Sequence, residues 1–232
     1  MKFELCAASL EAIRIAKEFS FDRIELCQNL EQGGITPSYG MIEYAIAYGI
    51  ETHVLIRPRP GGFNYSEDEV EVMLREIINC KEMGAAGVVI GALTESGEID
   101  DVVLTKIMAK AKGIEVTFHR AFDDCIEWKK AMDLLIEHKV NRILSSGLSR
   151  NVEIGMPILE QMITYSAGRI EIMTGGGVSA ANVNKLNNEL KPDAIHFSGT
   201  IKFQQDEDSL FSESVLKVDK ARVQRILDAA KK

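Results

Sequence analysis

The sequence predicts a (β/α)8 TIM barrel, built as a single domain over residues 1–232. Three observations carry that expectation. Short β-rich runs alternate with amphipathic helical patterns, the signature of βαβ units around a parallel sheet. The runs number about eight, the count that closes a barrel. No edge strand is evident, as closure requires.

The expected strands are Phe3–Ala7, Arg23–Cys27, Thr52–Arg57, Gly87–Ala92, Glu115–Arg120, Arg142–Ser146, Arg169–Thr174 and Ala194–Ser198. Helices announce themselves by their starts. Thr36-Pro37 reads as a cap followed by proline in the first turn. Ser66 stands three before Glu69 as a capping box, and Asp100 precedes an apolar-periodic stretch. Ser179 and Asp219 can cap the last two helices. Gly49, Gly84, Gly113 and Gly168 fall just before the third, fourth, fifth and seventh strands, where a helix end must turn back toward the sheet. Residues 200–218 form a longer connection than a barrel needs, an extended loop before the last helix that reads as a lid or an oligomer contact. A doubly wound open sheet is the competing architecture. It would more often carry Gly-x-Gly-x-x-Gly after the first strand, where Cys6-Ala7-Ala8-Ser9 stands instead.

Composition narrows the function classes. With 232 residues, 46 % of them hydrophobic, the chain can bury one sizeable core and needs only one. A net charge of −8 argues against nucleic acid as a partner, because phosphate binding needs clustered Lys and Arg. The start Met1-Lys2-Phe3-Glu4 carries an acid where a secretory signal needs an apolar run, and no segment approaches eighteen uninterrupted apolar residues. The expectation is a cytoplasmic protein with no membrane partner. Four dispersed cysteines, Cys6, Cys27, Cys80 and Cys125, make no disulfide framework and act, if at all, as thiols. A homodimer is the expected assembly, since twofold oligomers are common.

Strands of a barrel are buried on both faces, so each polar residue within one needs an explanation. Glu4 and Cys6 share one parity, Glu25 and Cys27 share another, and both runs contain Glu-Leu-Cys. If the pairs point inward, the two sulfurs lie on neighbouring strands about 4.8 Å apart. Facing thiolates suit Cu(I) better than zinc, which wants four ligands. The competing reading makes both cysteines small core residues. Arg57 and Arg59 lie in Ile56-Arg57-Pro58-Arg59-Pro60, where they either clamp an anionic ligand or neutralise Glu4 and Glu25. His119, in parity with Thr117, and His196 each read as a general base or metal ligand, or as a satisfied core histidine. Thr174-Gly175-Gly176-Gly177 and Ser198-Gly199-Thr200 expose backbone amides after the last two strands, where barrels often hold a phosphate.

Arg23-Ile24-Glu25-Leu26-Cys27, Gly33-Gly34-Ile35-Thr36-Pro37-Ser38, Ile56-Arg57-Pro58-Arg59, Phe118-His119-Arg120-Ala121-Phe122-Asp123 and Arg142-Ile143-Leu144-Ser145-Ser146-Gly147 occur in that order at strand ends. In these motifs the chain resembles the CutC family of copper homeostasis proteins, nearly end to end. The resemblance implies a cytoplasmic barrel linked with copper handling and Cu(I) on Cys6 and Cys27, and no motif implies an organic cofactor. The alternative is an enzyme acting on a small anionic, perhaps phosphorylated, metabolite. Gly175, Gly176, Gly177, Ser198 and Gly199 would then hold the anion, Arg57 and Arg59 would clamp it, and Glu25 or His119 would move a proton.

Overall fold

Eight short strands hydrogen-bond in chain order and close on themselves: β1 (Lys2–Ala7), β2 (Arg23–Leu26), β3 (Thr52–Leu55), β4 (Gly87–Ile90), β5 (Glu115–Phe118), β6 (Arg142–Ser145), β7 (Glu171–Gly175) and β8 (Ala194–Phe197). The architecture is that of a computed structural model, which describes residues 1–204 and 214–231. Neighbouring strands are parallel throughout, and β8 returns to β1 with His196 opposite Glu4. Closure rules out the open sheet. The returns are helical: α1 (Leu10–Glu18), α2 (Tyr39–Ala47), α3 (Glu67–Met83), α4 (Asp101–Lys110), α5 (Trp128–Glu137), α6 (Val152–Ser166), α7 (Val183–Lys185, continuing as a π turn over Leu186–Leu190) and α8 (Lys220–Ala230).

Period-2 alternation divides each strand between two cores. Leu5, Ala7, Ile24, Leu26, Val88, Ile143, Ile172 and Ile195 face outward and join the helices' apolar stripes in one continuous cluster. Each fully buried aliphatic side chain there is worth about 1.5–3 kcal/mol, so this sleeve carries the stability. The alternate residues face inward and include many polar ones. Two small apolar patches, Cys6–Cys27–Leu55–Val89 and Leu144–Met173–Ala194, share the barrel interior with buried charge. Arg142, 1 % exposed, donates to Glu171 (3.0 Å), Glu115 (2.5 Å) and Thr117 (3.0 Å), and so straps β5, β6 and β7 at their amino ends. Glycines flank the inward Val89 on β4 and just past its end, because a Cβ at Gly87 would lie 2.6 Å from the His53 ring and one at Gly91 would lie 2.3 Å from the His119 ring.

Several helix starts stand where expected. Ser66 and Glu69 form the reciprocal capping box, and the Asp100 and Asp219 carboxylates accept from Val103 and Arg222 amides. Gly84 ends α3 at φ +92°, a left-handed turn that costs glycine nothing. Two caps differ. Thr36 precedes a proline and is therefore held extended. Its hydroxyl accepts the Arg57 amide (2.9 Å) and donates to Glu76 (2.7 Å), and α2 begins after Ser38. Ser179 does not cap with its side chain; Asn182 accepts the Ser179 amide (2.8 Å) and donates to the Gly177 carbonyl (3.0 Å), fixing the turn before α7. The expected loop 200–218 is structured at both ends. Thr200–Gln204 (β9) pairs antiparallel with Ser214–Val218 (β10), and the Leu216 amide donates to Glu31 (2.6 Å); residues 205–213 lie outside the described residues. Among the described residues, no helix is long and apolar enough to cross a membrane.

Candidate functional site

A cavity of about 420 Å³ opens at the carboxyl ends of the strands. β1, β2 and β8 supply Cys6, Glu25 and His196 to it. In-register pairing sets Cys6 beside Glu25 and Glu4 beside His196, and inward parity turns all four side chains into the barrel. The Cys6 and Cys27 sulfurs stand 3.7 Å apart, and Cys6 Sγ lies 4.0 Å from Glu25 Oε1. Ligand atoms of Cys6, Glu25 and His196 fall within 4.8 Å of one another. Cys27, 1 % exposed, lies behind Cys6 and does not line the cavity.

Burial and charge set the protonation of this group. Burial alone would raise the Glu4 carboxyl, but the His196 hydrogen bond (2.7 Å) and the charges of His196, Arg23 and His53 prevail and hold it down at about 2. Arg23, 1 % exposed, donates to the other Glu4 oxygen at 2.5 Å. Glu25 behaves oppositely: burial pushes it up to about 7, with Glu4 adding to the rise and His196 opposing it. Near neutral pH this carboxyl is divided between its two forms, so it can take or give a proton. The Cys6 thiol is held well above its usual range by its hydrogen bond to Cys27, by burial and by the Glu25 and Glu4 charges. For His196, burial favours the neutral ring, yet the Glu4 hydrogen bond and the two carboxylates shift it upward overall. Because Nδ1 meets the Glu4 carboxylate, Nε2 is the ring atom left for a ligand.

Arg57 lines the cavity but neutralises neither acid. Its guanidinium donates to the Gly34 (2.7 Å), Gln32 (3.2 Å) and Gly61 (2.6 Å) carbonyls, tying the β2 and β3 loops together. Glu4 has its cation within the barrel in Arg23, which the ion-pair reading of Arg57 did not include. Arg59 is carried away from the cavity to Glu69 and to the Gly62 and Asn64 carbonyls. Gly176, Gly177, Ser198 and Gly199 line the cavity. Gly175 does not; it faces inward, where a Cβ would stand 3.1 Å from His196 Cβ. His119 lines the opposite wall with its ring centroid 5.0 Å from that of Phe63. The Ala121 amide donates to His119 Nδ1 (3.0 Å), so Nε2 carries the hydrogen. Burial, aided by the Arg57 charge, presses this imidazole down to about 3 and keeps it neutral.

Arg120 and Arg222 also line the cavity, and neither stood among the expected site residues. Arg120 lies within Phe118-His119-Arg120-Ala121-Phe122-Asp123, and Asp123 braces it at 2.8 Å while also accepting from Ser145 (2.5 Å), Ser146 (2.8 Å) and the Leu148 amide (3.1 Å). Arg222 arrives from α8, and no local pattern points to it. A second donor cluster, Glu51–His53–Glu115, lies at the other end of the barrel. Arg142 Nη1, which can only donate, stands 3.3 Å from His53 Nδ1. The hydrogen therefore sits on His53 Nε2, facing Glu51 at 3.3 Å, and no lone pair remains there for a metal.

Residues 1–201, which contain every strand of the barrel and most of the cavity wall, match the model of the CutC family. The chain belongs to the CutC family. The family protein CutC of Glaesserella parasuis serovar 5 is 41 % identical over 233 residues, covering 100 % of this chain and 96 % of that protein. The family protein CutC of Bacteroides thetaiotaomicron is 42 % identical over 207 residues, covering 88 % of this chain and 83 % of that one. A crystal structure of a candidate copper homeostasis protein CutC from Streptococcus agalactiae superposes with a TM-score of 0.81 at 34 % identity, covering 84 % of this chain and 98 % of that chain. The match to CutC thus extends to backbone geometry as well as to sequence.

Proposed function

We propose that this CutC chain is a cytoplasmic copper protein that takes Cu(I), as cargo, on the thiolates of Cys6 and Cys27. The single observation that supports this reading most is the 3.7 Å separation of two sulfurs on adjacent strands. Thiolates select Cu(I) because both partners are soft and polarizable, whereas zinc would require four ligands in tetrahedral array. Leu55 and Val89 surround the sulfurs with apolar surface, which excludes water from the metal, and Cys6 opens the path from the cavity. The His196 ring and Glu25 lie beside the Cys6 sulfur and set the local charge.

Binding must displace protons. The Cys6 thiol is held protonated at neutral pH, so a cuprous ion takes its place only as that proton leaves. Apparent Cu(I) affinity therefore rises with pH, by about tenfold per unit for each thiol proton released. Anaerobic titration against a chromophoric competitor at pH 6.5, 7.5 and 8.5 reads this slope. A pH-independent affinity would mean that the cysteines are not the ligands.

A further inference from the structure

Glu25 Oε2, Arg57 Nε and His119 Nε2 are buried and have no hydrogen-bond partner among the described residues. The three residues are 6, 5 and 6 % exposed, come from three different strand ends, and all line the one cavity. Folded proteins satisfy nearly every such atom with protein, water or ligand, because an orphaned buried group costs about 1–3 kcal/mol. Three residues that carry such groups and also line one cavity therefore point to an occupant that would meet them.

Their chemistry is specific. Arg57 Nε always carries a hydrogen, and His119 Nε2 carries one because the Ala121 amide occupies Nδ1. Both call for an oxygen acceptor. Glu25 Oε2 is a carboxyl oxygen with a lone pair to offer, which calls for a hydroxyl. Beyond these, the arginines of the wall are Arg120, braced by Asp123, and Arg222, which stand with the Gly176 backbone although the chain carries a net charge of −8. That end calls for negative charge. We propose that the cavity binds a small hydroxylated organic anion, with its hydroxyl on Glu25, a carbonyl or carboxyl oxygen on His119 and Arg57, and its charge toward Arg120 and Arg222. A volume of about 420 Å³ lies toward the small end of ligand pockets. The site is separate from the sulfur pair in one respect that matters for a test: Cys27 does not line the cavity.

The probes are D-gluconate and ribose 5-phosphate, hydroxylated anions whose charge is a carboxylate in one and a phosphate in the other. Ribose and inorganic phosphate serve as controls, each with one of the two features. Calorimetric titration of the metal-free chain should show at least one probe binding tenfold or more tighter than both controls. Which probe prevails identifies the anionic group. That affinity should fall by about tenfold or more in Arg222→Ala, an exposed position whose loss leaves the core intact, and again in His119→Ala. It should persist in Cys6→Ser with Cys27→Ser, which separates this site from the copper reading. Equal binding of inorganic phosphate and the probes, no binding of either probe, or affinity indifferent to both Arg222→Ala and His119→Ala would overturn the proposal.

Discussion

Replacing Cys6 and Cys27 together by serine is expected to lower Cu(I) affinity by more than about 100-fold, beyond the range seen when only supporting groups of a metal site are lost. The sulfurs are 3.7 Å apart, and among the described residues that line the cavity Cys6 alone offers a soft ligand atom, so serine leaves an imidazole and a carboxylate that hold Cu(I) poorly. The variant tests ligation only if it folds. Both positions are buried beside Leu55 and Val89, and each new hydroxyl there costs about 1–3 kcal/mol if it finds no partner. A thermal melt of the variant, read beside competitor titration, distinguishes a folded protein that has lost copper from one that has lost its structure. Unchanged affinity in the folded variant would remove the cysteines from the account.

Glu4→Ala is expected to destabilise the fold by about 3–5 kcal/mol, the usual cost of removing one member of a buried ion pair. It strands the Arg23 guanidinium, 1 % exposed, whose remaining side-chain hydrogen bond among the described residues is to Met173 Sδ at 3.5 Å. Arg23→Met added to Glu4→Leu should recover part of that loss, since it removes the stranded guanidinium and leaves only the His196 ring without its Glu4 partner. The pair also imposes a pH dependence. Glu4 in the folded chain sits at about 2, below its ordinary 4.5, so its contribution is fully present above pH 4.5 and is lost as pH falls toward 2. Urea unfolding between pH 6 and pH 2 should show stability dropping across that window in the wild type and a shallower drop in Glu4→Leu with Arg23→Met. Equal slopes would mean that the pair is not the titrating element.

The two Glu-Leu-Cys repeats were legible because parity in a strand is fixed at two residues, and parity alone turned Cys6 and Cys27 to the same face of adjacent strands. For Arg57 the sequence left two readings, an anion clamp or a partner for Glu4 and Glu25. Parity gives the face but not the reach of a long side chain, and the Gly34 and Gly61 carbonyls claim its guanidinium before either acid can. Arg23 was in view as the first residue of its strand, at the parity of Glu25, and only the register to β1 shows it meeting Glu4. Arg120 and Arg222 depend on loop and helix placement: one is aimed by Asp123 and the other lies on the last helix, so their convergence is a property of closure rather than of local pattern. The His119 tautomer is set by one amide two residues away, which no spacing rule encodes.

The most direct test of copper on the sulfur pair is X-ray absorption at the copper edge on the anaerobically loaded, reduced chain. A Cu(I) centre with two sulfur neighbours, lost in Cys6→Ser with Cys27→Ser, is the predicted result. A centre bound by nitrogen and oxygen alone, or one unchanged in the double variant, would contradict it.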